Sequence, residues 1–356
     1  MDYNAGFKFL VERASIFTGL DVHVTIIANP VAGGFIIPER ARKNINYFND
    51  AIESVKLKVP VTQSCTTVIH QTTCVGHAAK IARSVLNDAY LDKIENKVYL
   101  IVTAGGDGTS LDVQAELTSA VFEQNRRELI SKVCLLRLPF GTGNDGSDGR
   151  TLDDSLRLLT ESSVFAKTSA IRVYSEKTPY TVTYAFNIAS LGLDAFVTHM
   201  TNRVKRVSPG DVYKLWVDIA CLFYNRLYKV DTMTVDAFMS DETPVISYSE
   251  KLLLQVMGVS GKRTYGSNQK ILPDDRNICA AREMSLRRKL LLKKHVREGT
   301  HTSFPEMILF SAERLVLHYS QKILIQFDGE ARLLTPADFP LVMELTEPII
   351  TILKKS

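Results

Sequence analysis

The apolar run Val98–Thr103 opens almost directly into Gly105-Gly106-Asp107-Gly108-Thr109, and a helix-like segment follows at once. A strand that ends in glycines around one carboxylate leaves backbone N–H groups free to face an anion, and the start of a helix adds the positive end of its dipole. An ordinary strand-to-helix turn needs one or two glycines and gains nothing from Asp107 and Thr109 beside them. The segment therefore points to a strand feeding a helix around a phosphate-sized concavity.

The first 160 residues alternate between two periodicities. Val22–Ala28, Lys97–Thr103 and Lys132–Leu138 read as buried strands, with a further strand at Lys56–Val59. Pro38–Ser54, Gly76–Asn87, Ser110–Ser131 and Thr151–Glu161 read as helices. Alternation of this kind predicts an α/β domain with a parallel sheet covered by helices. From about residue 164 the pattern changes to segments rich in Val, Ile, Thr, Tyr and Phe: 170–175, 180–188, 230–239, 251–259, 314–319 and 322–327. These predict a mostly antiparallel second domain. Helical stretches at about 194–206 and 211–225 interrupt it, and the stripe Leu215, Trp216, Ile219, Leu222 and Phe223 reads as core.

Two more strand ends carry small, turn-forming residues: Asn29-Pro30-Val31-Ala32-Gly33-Gly34 and Leu138-Pro139-Phe140-Gly141-Thr142-Gly143-Asn144-Asp145. In an open parallel sheet, ligands bind at the strand C-termini, so three such loops converge on one cleft. Gly141, Gly143 and Gly146 satisfy a G-x-G-x-x-G spacing, with Glu161 downstream. That dinucleotide reading fails, because Pro139 ends the strand, the match is not on the first β-α unit, and the loop at 105 would be left unexplained. No Gly-x-x-x-x-Gly-Lys-Ser/Thr occurs either, so a nucleotide would be held without that lysine.

Bulk composition narrows the class. A chain of 356 residues with 45% hydrophobic and 23% charged content is an ordinary globular protein with room for two cores. No run of 18 apolar residues suggests a membrane span, and Met1–Lys8 lacks the layout of a secretion signal, so a cytoplasmic protein is expected. The five cysteines form no C-x-x-C pair, which argues against zinc and a disulfide framework. A net charge of +4 is too small to suggest nucleic acid as a partner.

The order Asn-Pro-x-Ala-Gly, then Gly-Gly-Asp-Gly-Thr, then Leu-Pro-x-Gly-Thr-x-Asn-Asp resembles the catalytic domain of the diacylglycerol kinase and sphingosine kinase superfamily. Thr72–Ala79 is similar to that family's Thr-Thr-x-x-Gly-His-Ala segment, Ser190–Ala195 to its step into the second domain, and Asp328-Gly329-Glu330 to its late Asp-Gly-Glu. The likeness runs over nearly the whole chain. Gly-Gly-Asp-Gly-Thr alone is shared with NAD kinases. The resemblance implies a compact lipid kinase of the bacterial type, with ATP between an α/β domain (1–160, completed by 341–356) and a β-sandwich domain (161–340) that contributes the lipid site and the base. The acceptor would be a lipid hydroxyl at the membrane surface, on diacylglycerol, a sphingoid base or a related lipid. An NAD kinase-like enzyme and a non-catalytic lipid-binding protein of this fold are the alternatives.

On this reading the backbone of Gly105, Gly106, Asp107, Gly108, Thr109 and Ser110 holds phosphates, together with the Asn29, Pro30, Gly33 loop and Gly141, Asn144 and Asp145. Thr142 and Thr72 add hydroxyl donors, and Asp107 holds Mg2+. Asn29 and Asn144 equally fit a loop-bracing role. Glu330 is the expected general base, and Asp328 would share its strand face and raise the pKa of one of the two carboxyls. The residues alone favour a hairpin turn at Asp328-Gly329, and only the family resemblance moves the reading toward catalysis. Departures from the family pattern are Asp112, where Glu is commoner, and Tyr265–Glu283, where the structural Mg2+ site of some relatives is doubtful. Ser285–Arg297 mixes leucines with six basic residues and fits either a face for anionic lipid or a solvated face over the core.

Overall fold

Parallel pairing of the apolar runs builds the first of two units in this computed structural model, which describes residues 2–56, 60, 61, 63–141, 144, 146–205, 223–265 and 269–356. That unit comprises Met1–Thr168 and Pro348–Ser356, and the second comprises Ser169–Glu347. The expected strand at 57–59, the stripe residues Leu215, Trp216, Ile219 and Leu222, and Thr142, Gly143 and Asp145 lie outside the described residues, whereas Phe223, expected in the core with that stripe, is exposed.

In the first unit, strands β1 (Asp21–Ala28), β2 (Ser64–Gln71), β3 (Lys97–Gly105), β4 (Val133–Pro139) and β5 (Ser163–Thr168) form a six-stranded sheet with the C-terminal strand Ile350–Lys355. The order is β2-β1-β3-β4-C-terminal strand-β5, and every pairing is parallel except the last. Helices α1 (Tyr3–Val11), α2 (Gly33–Ile36), α3 (Pro38–Lys56), α4 (His77–Leu91), α5 (Asp107–Phe122), α6 (Leu129–Lys132) and α7 (Leu152–Thr160) accompany it. β3 is buried almost throughout, as expected for a parallel strand covered on both faces. Phe7, Leu10, Val24, Ile26, Phe48, Leu100, Val102, Leu136 and Leu156 share one core.

The structure redraws several sequence boundaries. The helix expected at 110–131 stops at Phe122, and Asn125 takes a left-handed φ of 53° before α6 begins. Of the tail expected to return to the first domain, only Ile350–Lys355 does so, while Leu341–Leu345 stays in the second unit's sheet. Residues 163–168, placed in the second domain by composition, are the edge strand of the first sheet.

The second unit is an eleven-stranded antiparallel sheet. Its strands are β6 (Ile171–Ser175), β7 (Thr178–Ala185), β8 (Ile188–Gly192), β9 (Thr232–Phe238), β10 (Pro244–Gly258), β13 (Ile278–Arg282), β14 (Met307–Phe310), β15 (Arg314–His318), β16 (Ile323–Phe327), β17 (Glu330–Leu334) and β18 (Leu341–Leu345). A separate hairpin joins β11 (Arg263–Tyr265) to β12 (Gln269–Leu272). The first half of β10 pairs with β9 and its second half with β8 and β13, so this strand carries the sheet from one layer to the other. Val173, Val235, Leu315 and Met343 on one side meet Leu191, Ala280 and Ile325 on the other in a single core. Helices α8 (Leu193–Lys205) and α9 (Leu286–Glu298) belong to this unit. No helix among the described residues is long and apolar enough to cross a membrane.

Candidate active site

Four strand ends of the first unit finish at one level. Gln71, Ala28, Ala104 and Leu138 are in register across β2, β1, β3 and β4, so the loops starting at Thr72, Asn29, Gly105 and Pro139 leave the same edge. The chain goes outward from β1 to β2 and returns on the other side of β1 to β3, which makes the β1/β3 boundary the topological switch point where open α/β sheets bind ligands.

Glycine is required where these loops meet. A Cβ on Gly141 would lie 2.5 Å from the Gly106 Cα, and one on Gly105 would lie 2.4 Å from the Thr109 hydroxyl. One on Gly34 would lie 2.7 Å from the Phe140 ring, and the Gly34 N–H donates to the Phe140 carbonyl at 2.7 Å. The three loops thus touch through bare backbone. Asn44, buried in α3, donates to the Gly34 carbonyl and fixes the first loop from below.

Helix α5 begins at this contact. Gly106 caps it without a side-chain hydrogen bond, and Asp107 and Gly108 contribute first-turn N–H groups that have no intrahelical acceptor. Thr109 and Ser110 are buried: Thr109 N–H donates to the Gly106 carbonyl at 3.0 Å, and the Ser110 hydroxyl pairs with Thr103 at 2.8 Å. Both therefore shape the turn from beneath, while the Gly108 backbone is its exposed part. One Asp107 oxygen accepts from Gly146 N–H at 3.2 Å, which ties the Gly105 loop to the loop after β4.

The two asparagines brace their loops. Asn29 Oδ1 accepts from Val31 N–H at 3.2 Å. Asn144, at a φ of 60°, donates from Nδ2 to the carbonyls of Pro139 and Gly141. Pro30 is exposed, Gly33 opens α2, and Thr72 N–H continues the sheet by donating to the Ala28 carbonyl at 2.8 Å. His77 Nδ1 accepts from the Thr73 N–H at 3.1 Å, which closes the turn into α4. Asp112, in α5, has its carboxyl pKa raised by burial and then by the charge of Glu116. A pair unassigned from sequence supports the floor of the site: Arg137, on β4, grips Asp148 through its side chain and its N–H and also reaches Gln114.

In the second unit, Asp328 and Gly329 form the two-residue turn between β16 and β17, with φ values of 49° and 97°. The Asp328 carboxylate accepts from the N–H groups of Phe186 at 2.5 Å, Asn187 at 2.9 Å and Ile188 at 2.8 Å. This corrects the expected carboxylate pair on one strand face. Asp328 sits in the turn, its carboxylate accepts from three amides, and it fixes the turn. Glu330 opens β17 opposite Phe327 and is exposed.

Below the turn lies a buried polar chain. Gly329 N–H donates to Gln326 Oε1 at 2.9 Å, and Gln326 Nε2 reaches Ser190 at 2.9 Å and Asp194 at 3.2 Å. Ser190 in turn donates to Asp194 at 2.5 Å. The role of Gln326 was overlooked in the sequence, although a lone Gln between Ile325 and Phe327 in an apolar strand was a readable signal.

The same unit holds an apolar cavity of about 90 Å³ between α8, β10, β12 and α9, with Val197, Leu253, Ile271 and Leu292 among its walls and Asp194, Gln269, Lys289 and Lys293 as polar groups. In the hairpin region, Asp274 is paired with Arg276 and Asp275 with Lys262.

Residues 23–174 match the family described as the diacylglycerol kinase catalytic domain. No curated protein matches this chain. A solved diacylglycerol kinase structure from Bacillus anthracis strain Sterne is similar with a TM-score of 0.58 and 14% identity, over 94% of this chain and 97% of that one. Two further structures from that strain, described as candidate diacylglycerol kinases, are also similar. The first has a TM-score of 0.58 and 18% identity, over 93% of this chain and 94% of that one. The second has a TM-score of 0.58 and 16% identity, over 94% and 97% respectively. At these identities the likeness to the solved structures speaks for the fold.

Proposed function

Residues 23–174 match the diacylglycerol kinase catalytic domain, and from that premise we propose that this chain is an ATP-dependent lipid kinase of the diacylglycerol kinase and sphingosine kinase superfamily. It would transfer the γ-phosphoryl group to the hydroxyl of diacylglycerol, a sphingoid base or a related lipid. The observation that carries the reading is the in-register edge of four strand ends, where Gly106 meets Gly141 and the first-turn amides of α5 begin. Such an edge suits a polyphosphate, because oriented N–H groups meet negative charge without a side chain in the way.

Asp107 is the residue to hold Mg2+. One of its oxygens is engaged by Gly146 and the other makes no hydrogen bond among the described residues. Those residues contain no cluster of three or more His, Cys, Asp or Glu side chains. A single carboxylate fits Mg2+, which keeps its waters and takes further oxygens from bound phosphates. When bound, the ion would neutralise charge on the triphosphate during transfer.

Glu330 is the proposed base. The acceptor oxygen bonds to the γ-phosphorus, the bond to the β,γ-bridging oxygen breaks, ADP leaves, and the hydroxyl proton passes to Glu330. The turn behind Glu330 is immobilised from two sides, by Asp328 on the amides of 186–188 and by Gln326 on Gly329. The apolar cavity, at about 90 Å³, has room for part of an acyl chain.

The test is incubation with γ-phosphate-labelled ATP, magnesium and a mixed lipid extract, followed by chromatography of the organic phase. Label is expected in one lipid class with the wild type, with a loss of about 10²–10⁴-fold for Glu330→Gln. Absence of lipid label, or undiminished transfer by Glu330→Gln and Asp107→Asn, would overturn the assignment.

A further inference from the structure

Helix α9 has two unlike faces. Leu292 and Val296 turn inward and line the apolar cavity, as does Lys289, which donates to Asn225 Oδ1 at 2.9 Å. The opposite arc is exposed and carries Leu286, Leu290 and Leu291, which are 42%, 45% and 46% accessible. At about 100° per residue, Arg287, Lys294 and Arg297 fall among these leucines. All three are exposed.

Leucines held half in water on a helix need a reason, because α9 has an inner face available for apolar side chains. The one acidic residue on the outer arc is Glu298, 3.9 Å from Lys294 at the helix end. Arg287 and Arg297 have no acidic partner among the described residues. By contrast, Arg288 and Arg282, off this arc, are paired with Glu306 and Glu250. The arc has no aromatic residue of the kind that anchors protein interfaces. Apolar side chains flanked by long basic ones match an anionic lipid surface, where leucines enter the acyl boundary and the cations meet headgroup phosphates.

We propose that the outer face of α9 docks this protein on an anionic membrane surface. The helix then presents lipid on one side and the apolar cavity on the other. An acyl chain leaving the bilayer would need only to pass this helix for part of it to enter the cavity of about 90 Å³. The cavity's role rests on the lipid-kinase reading, whereas the docking face rests on exposure and charge.

Vesicle flotation tests the docking face without any activity measurement. The full chain is mixed with phosphatidylcholine vesicles, with or without 30% phosphatidylserine, at low and high salt. The wild type is expected to float with the anionic vesicles alone and to be released by salt. Leu286→Gln with Leu290→Gln, and separately Arg287→Glu with Lys294→Glu, are each expected to reduce partitioning at least tenfold. All four positions are exposed, so far-ultraviolet circular dichroism should match the wild type. Phosphorylation of a detergent-dispersed acceptor is expected to be unchanged in both variants while phosphorylation in vesicles falls. If neither form of acceptor is phosphorylated, the kinase reading fails and the flotation result stands alone. Equal flotation by wild type and variants, no flotation, or equal binding to neutral vesicles overturns the docking proposal. So does a wild-type dimer in sedimentation that the leucine variant dissociates, since the face would then serve a second copy of this chain.

Discussion

Replacing Asp328 by Asn isolates the charge that fixes the β16–β17 turn. Asn tolerates the left-handed backbone that Asp328 adopts at a φ of 49°, so the turn itself is not strained. Asn187 and Ile188 donate to Oδ1, and an amide oxygen can keep those two bonds. They fall from charge-assisted to neutral, a loss of about 1 kcal/mol each. Phe186 N–H donates to Oδ2, which becomes an NH2 group and a second donor. Phe186 is 6% exposed, so water does not readily replace the acceptor, and the orphaned N–H costs about 1–3 kcal/mol. The total is about 3–5 kcal/mol, which lowers the melting temperature of a unit this size by about 10 °C. Calorimetry measures the shift, and amide hydrogen exchange at 186–188 shows where it arises. An Asn variant melting within 1 °C of wild type, with these amides equally protected, would refute the argument. Glu330→Gln is the control: an exposed residue whose change should stay within about 0.5 kcal/mol.

Two more outcomes are expected. Gly141→Ala brings a methyl within 2.5 Å of the Gly106 Cα, so the loops must separate; a cost of about 1–3 kcal/mol and at least tenfold weaker ATP binding should appear in thermal melts and equilibrium titration. His301 is fully buried with its Nε2 3.1 Å from the Ile271 carbonyl, and burial pushes its pKa down. The unfolded chain takes up that proton first, so stability is intact above the unfolded value of about 6.5 and is lost as pH falls from there through the lower folded value. Melting scans at pH 7.5 and 5.5 should show a smaller acid-induced drop in His301→Gln than in the wild type.

The continuous apolar runs of β1, β3 and β4 were legible because a parallel strand covered on both faces leaves little room for polar residues. β2 was missed for the complementary reason: it is the edge strand, and Ser64, Thr66, Thr67, His70 and Gln71 dilute its pattern. α1 also escaped notice, since Gly6 lowers its helical signal. In the fold Gly6 is needed, because its Cα faces Phe48 where a Cβ would lie 2.6 Å from the ring. The glycine loops could be read from sequence because their chemistry is local. The contact of Gly106 with Gly141 could not, because it depends on the register of two strands. At Asp328 the residues supported both a turn and a catalytic pair, and the amides that decide it come from about 140 residues earlier in the chain.

The central claim is that the edge formed by Asn29, Thr72, Gly105 and Pro139 grips a nucleoside triphosphate. Amide hydrogen exchange of the full chain, with and without ATP and magnesium, reads that edge directly. Slowed exchange is expected at Asp107 and Gly108 and in the loops after β1 and β4, with the second unit's sheet unchanged. No binding at millimolar nucleotide, or protection confined to other segments while these amides exchange as before, would contradict it.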